Sequence, residues 1–174
     1  KLLGMAYPGG PLLEQAAVGG NPAWVDFPRG VACDERRGTG STRPDLCFSF
    51  SGIKTALRYH LQRNPGAVEG DKFKHVAASY QHAVVDTLIR QLDRALETEP
   101  VRALAAAGGV ARNWLLRARL GELARAHGLP LLLANPDYCT DNAAMIAALG
   151  GALLMRGASP TPLDADIDPN LPLG

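Results

Sequence analysis

The chain has 174 residues, 47% of them hydrophobic and 20% charged, which suits one ordinary globular domain or one large lobe of a two-lobed protein. A formal net charge of +1 gives no global field for capturing nucleic acid, so any RNA contact must be local. The three cysteines, Cys33, Cys47 and Cys139, form no CxxC pair, which argues against a disulfide framework or a zinc knuckle and fits a reducing cytoplasm.

The opening KLLGMAYPGG has no initiator Met and runs straight into patterned sequence, as expected of a fragment whose N-terminus lies upstream. The residues from Tyr7 to Pro11 read as a turn opening a short helix over 12–18, with Pro11 at the first helical position, where its missing N–H costs nothing. Gly9 and Gly10 permit close backbone approach. Glu14, one turn into that helix, either accepts hydrogen bonds from sugar hydroxyls or is a solvated carboxylate near a helix N-terminus.

Residues 19–43 are loop-rich, with a predicted strand at 24–27. Arg36, Arg37 and Arg43 in this excursion either meet phosphates or belong to an ordinary solvated loop. A compact β run over 46–50 then turns through Ser49, Ser51 and Gly52 into a helix over 53–62. After a loop at 64–71, Phe73, Val76, Tyr80, Val84, Leu88, Leu92 and Ala95 recur at three- and four-residue steps, which predicts a long amphipathic helix ending near Glu97. His75 and His82 on that helix stand about two turns, roughly 10 Å, apart and cannot share a metal ion unaided.

Residues 101–120 are the most informative stretch. A short apolar β run over 101–107 breaks at Gly108-Gly109 and gives way after Asn113 to a helix with Leu116, Leu120 and Leu123 on one face. Two glycines there allow positive φ and remove Cβ atoms, and the next helix starts with free N–H groups and partial positive charge. A phosphate or nucleotide edge fits such a place, and so does a bare corner. The run at 129–133 reads as a buried parallel strand, which implies α/β layering. Asp141 then stands at the mouth of an apolar helix over 143–155, either as its cap or as a carboxylate offered to a cation, with Thr140 an alternative cap. That helix is shorter than the roughly 20 residues a bilayer needs, so it is expected to be buried in protein.

Four stretches, KLLGMAYPGGPLLE, CFSFSGIKTAL, AAAGGVARNWLLRARL and YCTDNAAMIAALG, stand in this order and spacing. Together they resemble the TsaD family, the tRNA N6-adenosine threonylcarbamoyltransferases, also known as O-sialoglycoprotein endopeptidases or glycoproteases. The resemblance covers nearly the whole chain and the C-terminal half of the family's length. It implies an α/β chain built as an RNase H-like lobe of the actin, sugar kinase and Hsp70 (ASKHA) superfamily, with a mixed sheet flanked by helices. Residues 1–156 would form this C-terminal lobe and 157–174 an extended Pro-rich tail.

By the same resemblance, Gly10 and Glu14 contact the substrate's nucleotide part, Asn113 its adenosine side, and Asp141 is a metal ligand, with Gly9, Gly108 and Gly109 shaping the turns. The implied reaction moves a threonylcarbamoyl group from threonylcarbamoyl-AMP to N6 of adenosine 37 in tRNAs that read ANN codons. The implied cofactor is one divalent metal ion, iron or zinc, acting as a Lewis acid. Its two further ligands, a histidine pair at HxxxH spacing, are expected from an N-terminal half. Neither that motif nor the first lobe's phosphate-binding loop occurs in this sequence, and His60, His75, His82 and His127 do not replace them. The implied partners are tRNA, a TsaB-like paralogue and a TsaE-like ATPase, in the cytoplasm and away from membranes.

Arg112 stands where the family usually has a small residue, and either assists an anionic ligand or points to solvent. No Cys–His pair suited to a peptidase and no HExxH is present, so an endopeptidase ranks below the transferase. A reading of another class is a non-catalytic lobe that binds nucleotide or a partner. The half-built cleft implies that the chain alone is inactive.

Overall fold

The structure is a computed structural model that describes residues 2–30, 46–160, 162 and 164–166. It divides into two compact units, Lys1–Cys139 and Thr140–Gly174. The first holds α1 (Gly9–Ala16), α2 (Ser51–Arg63), α3 (Gly70–Thr98), β1 (Leu104–Ala106), α4 (Trp114–Ala126) and β2 (Leu131–Leu133). Short 3-10 turns at Pro65–Val68, Gly109–Arg112 and Pro136–Tyr138 join them, and the second unit holds α5 (Ala143–Met155).

The two apolar runs at 101–107 and 129–133 pair in one sheet, but the second, read as a buried strand, is only half-buried at Leu131 and Leu133 and exposes Leu132. β1 pairs in parallel with β2, Leu104 opposite Leu131 and Ala106 opposite Leu133, with α4 as the crossover. One face of this pair is packed by a cluster of Val85 and Ile89 from α3, Leu104 from β1, and Leu116, Leu120, Leu123 and Ala124 from α4. The Leu116, Leu120, Leu123 stripe predicted for α4 is thus its buried face. A second cluster joins Phe27, Leu57, Ala67, Val76 and Ala83. Phe27 meets Tyr80 and His60 edge-on, with ring centroids 5.7 and 5.8 Å apart.

Other expectations are corrected. Among the described residues the sheet has two strands and only parallel pairing; residues 24–27 and 46–50 are not strands in it. Residues 21–30 run along α3 and give their backbone N–H groups to its side chains. Asn21 donates to His75 Nδ1 (2.8 Å), Val25 to Ser79 Oγ (3.1 Å) and Gly30 to Thr87 Oγ1 (2.9 Å). A helix that supplies acceptors at positions 75, 79 and 87 removes the need for a strand partner. Contact with α3 is close enough that a Cβ on Gly20 would collide with the Lys74 carbonyl and one on Gly30 with the Thr87 methyl, and the latter would also strike the Ser49 carbonyl ahead of α2.

The long helix is α3, but its buried set is not the predicted stripe. Val76 to Ser79, Gln81, Ala83, Val85, Thr87, Ile89 and Gln91 are buried, whereas Tyr80, Val84, Leu88 and Leu92 are half-buried. The helix is covered on more than one side, by segment 21–30 and by α4 with the sheet, so a single apolar stripe does not describe it.

Pro11 is not the first residue of α1. The helix begins at Gly9 with Pro8 as its N-cap. In the second unit no residue of α5 is buried, against the expectation of a buried helix. Among the described residues of its unit it has no second helix or strand to pack on. It ends at Met155 with Arg156 as its C-cap, and Gly157 follows with a φ of +82°, the left-handed conformation that glycine adopts freely after a helix. Arg36, Arg37, Arg43 and most of the Pro-rich tail lie outside the described residues.

Candidate nucleotide site at the strand ends

At the C-terminal end of β1 the chain turns at Gly108, where φ is +87°. A side chain there would be strained, so glycine is required by the turn itself. Gly109 begins the 3-10 turn Gly109–Arg112 at ordinary φ, and Ala111 N–H donates to Gly108 O at 2.9 Å. A Cβ added at Gly9, Gly10, Gly108 or Gly109 would meet no atom of the described residues within 4 Å. Among the described residues the space over all four is open, and no packing contact demands glycine at 9, 10 or 109.

Asn113 is the N-cap of α4. Its Oδ1 accepts the N–H of Leu116 at 2.9 Å, satisfying one of the helix's unpaired donors. The next residue brings a distant motif to the same place, because Trp114 N–H donates to Glu14 Oε1 at 2.7 Å. A carboxylate is thereby held at the positive end of α4, a charge-assisted contact across 100 residues of sequence. Glu14 is therefore neither simply solvated nor bound to the start of its own helix. Its contact unites Gly10 and Glu14 of α1 with the Gly108–Asn113 turn, so three of the four residues singled out as ligand contacts share one neighbourhood.

Sequence reasoning passed over Arg117, one turn into α4. Its guanidinium donates from Nη1 to Ala111 O at 2.8 Å and from Nη2 to Ala134 O at 3.0 Å. Ala134 follows β2, and its N–H continues the sheet to Ala106 O at 3.0 Å. Cys139 Sγ lies 3.7 Å from the same Ala134 carbonyl. The signal available in sequence was only an Arg on the helix that follows the glycines.

Asp141 belongs to the second unit. The cap of α5 is Asn142, which accepts Met145 N–H at 3.0 Å and donates to Thr140 O at 2.8 Å. Neither Asp141 nor Thr140 caps the helix, and the exposed Asp141 carboxylate has no partner among the described residues. No group of three or more His, Cys, Asp or Glu side chains converges among the described residues. Asp141 supplies at most one donor, too few to hold a metal ion by itself. His75 is engaged by Asn21 and stacks on Trp24 at 4.9 Å, and His127 meets Asp93 at 2.7 Å, so neither departs from an ordinary structural role. Arg112 is exposed and makes no ion pair among the described residues.

Elsewhere in the first unit a cavity of about 350 Å³ is lined by Pro22, Ala23, Val25, Asp26, Arg29 and His82. Of the residues named from the sequence only His82 lines it, and none of those offered as ligand contacts does. Arg29 there is committed to Asp86 (3.2 Å) and Asp26 (2.9 Å), and Arg119 also reaches Asp86 at 3.2 Å. Burial lowers the pKa of His82 below its usual value; nearby Arg119 and Arg29 add to this, and Asp86 opposes it.

The family model for TsaD, described as tRNA N6-adenosine threonylcarbamoyltransferase, matches residues 1–148. A protein of that name from Syntrophotalea carbinolica (strain DSM 2380 / NBRC 103641 / GraBd1) is 41% identical over 173 residues, which is 99% of this chain and 48% of the relative. The chain thus spans about half the length of the curated relative it matches.

Proposed function

The chain belongs to the TsaD family, and from that premise we propose that it forms part of an enzyme transferring a threonylcarbamoyl group from threonylcarbamoyl-AMP to N6 of adenosine 37 in tRNAs reading ANN codons. The carrying observation is the Glu14–Trp114 hydrogen bond at 2.7 Å, which joins α1 to the start of α4, just after the glycine turn that leaves β1. Ligands of open α/β sheets bind at the strand ends from which such turns leave. In this reading the lobe is RNase H-like, of the actin, sugar kinase and Hsp70 kind.

Each residue has a role compatible with its present contacts. Glu14 keeps one carboxylate oxygen on the α4 N-terminus and offers the other to ribose hydroxyls. Asn113 keeps Oδ1 on Leu116 and offers its NH2 to the adenosine side. Gly10 and Gly109 leave the backbone open to the nucleotide. In the reaction the N6 amine attacks the carbamoyl carbon, the bond from that carbon to the AMP phosphate oxygen breaks, and AMP leaves while the amine loses its proton. AMP is a good leaving group, so orientation of the two reactants supplies much of the rate. Asp141 serves as one ligand of a divalent metal, iron or zinc, completed by residues outside this chain. The proposed setting is cytoplasmic, with a TsaB-like paralogue and a TsaE-like ATPase as partners. Among the described residues, no helix is long and apolar enough to cross a membrane.

The test is threonylcarbamoyl transfer from synthetic threonylcarbamoyl-AMP to an ANN-decoding tRNA by the full-length protein, with Glu14→Ala and Asn113→Ala alongside. Both variants should raise the KM for the donor. Wild-type transfer by both would leave these residues as helix caps only. The half-length match admits a second reading, a non-catalytic lobe binding nucleotide or a partner. It predicts nucleotide binding without transfer.

A further inference from the structure

We propose that Arg117 is a positioning residue of the nucleotide site, a clamp that fixes the spacing between the two loops leaving the C-terminal ends of β1 and β2. This deepens the transferase reading and rests on it. The geometry is specific. One guanidinium spans from Ala111 O, at the end of the glycine turn, to Ala134 O, one residue beyond β2, with contacts of 2.8 and 3.0 Å. Arg117 makes no ion pair among the described residues, so these donors serve backbone and not a carboxylate.

Each loop is tied to the sheet on its own side only. The glycine turn departs from β1, and residues 135–139 depart from β2 through an Asn135 turn, in which Asp137 N–H donates to Asn135 Oδ1 at 3.1 Å. Beyond Ala134 N–H to Ala106 O, no backbone hydrogen bond joins the two exits among the described residues. Arg117 supplies the cross-link at the place where a ligand of an open parallel sheet lies. A planar fork with donors on two separate nitrogens suits two acceptors on different loops, and a lysine ammonium, a point charge on a flexible stem, does not hold both in a fixed geometry. Asn113, one turn before Arg117 and joined to it by the helical bond from Arg117 N–H to Asn113 O at 3.0 Å, takes its position from the same clamp.

The experiment uses the full-length protein with Arg117→Ala, Arg117→Lys and a control, Leu57→Ala, which truncates the separate Phe27, Val76 cluster and touches neither loop. Threonylcarbamoyl-AMP affinity, the KM and kcat of transfer, the melting temperature, and hydrogen exchange at 108–113 and 134–139 are measured. Arg117→Ala should weaken donor affinity about tenfold, the scale of one lost charge-assisted hydrogen bond, and raise KM more than it lowers kcat. It should also raise exchange in both loops together. Arg117→Lys should fall between, and Leu57→Ala should keep wild-type affinity despite lost stability. Equal affinity loss in Arg117→Ala and Leu57→Ala would overturn the clamp, as would a folded Arg117→Lys with wild-type affinity and exchange. If the wild-type protein binds no threonylcarbamoyl-AMP, the transferase reading falls. The exchange measurement then still decides the clamp, and wild-type protection of both loops in the Arg117 variants would refute it.

Discussion

The side chain of Asn113 has one end engaged in a cap and the other without a partner among the described residues, so its capping role and its proposed adenosine contact are separable by substitution. Its oxygen caps α4 through Leu116, and its NH2 has no partner among the described residues. Asn113→Ala should cost about 0.5–2 kcal/mol of stability, as loss of a cap does, and also weaken nucleotide affinity by about 1–3 kcal/mol. Asn113→Asp keeps the capping oxygen and removes the donor, so in denaturant titration it should stay near wild type while calorimetry shows the affinity loss. A pair of variants that lose stability and affinity in parallel would mean that the cap is the whole role. The two glycines separate in the same way. Gly108→Ala should destabilise by about 1 kcal/mol through its φ of +87°. Gly109→Val has open space and ordinary φ, so it should fold normally and yet bind nucleotide less well. The pair GG was legible as a corner; which glycine the backbone requires was not, because that depends on the path the chain takes into the 3-10 turn. Nor could the sequence show Glu14 against Trp114, a contact that exists only once α1 is folded beside α4.

Among the elements, α4 was legible because its apolar period is clean and its burial is one-sided, whereas the strands were legible only as a parallel pair: the unbroken apolar run of β2 reads as buried, but Leu132 faces away from the cluster and is exposed. Helix α3 was legible as a helix but not in its facing. Ser79 and Thr87 look like interruptions of an apolar pattern, and they turn out to be the acceptors that replace a strand partner for residues 21–30. Thr87→Val keeps the shape and removes the acceptor of Gly30 N–H; thermal or urea unfolding should show a loss of about 1–3 kcal/mol, the cost of orphaning a partly buried donor. A smaller effect would mean that water takes the place of the hydroxyl. The same helix carries a pH response. His82, its pKa lowered chiefly by burial and further by Arg119 and Arg29 against the opposing pull of Asp86, binds fewer protons folded than unfolded between its folded pKa and the usual histidine value of 6.5. Stability therefore rises with pH across that window and is lost as pH falls through the folded pKa. His82→Gln should flatten the unfolding free energy against pH below about 6.5, and an unchanged slope would assign the response to other groups.

For the molecule as a whole, the question is whether these residues suffice for chemistry, and the arrangement of donors argues that they do not. Useful affinity for a transition metal needs several ligands converging with supporting hydrogen bonds. Asp141 is exposed with no partner among the described residues, and no three suitable side chains gather there. The curated relative is about twice as long as the stretch matched, since this chain covers 48% of it. A donor molecule held by α1, the glycine turn and α4 alone is gripped from one side and loses the orientation on which transfer depends. The expected outcome is that the 174-residue chain alone shows no threonylcarbamoyl transfer and weak metal binding. Restoring the remaining half by fusion or in trans should recover metal binding and, with the proposed partners, tRNA modification. In the restored protein Asp141→Ala should abolish transfer while leaving α5 intact, because Asn142 and not Asp141 caps that helix. The assay is transfer from synthetic threonylcarbamoyl-AMP to an ANN-decoding tRNA, run with and without the other half and paired with metal titration; robust turnover by the 174-residue chain alone would show that one lobe positions both reactants by itself.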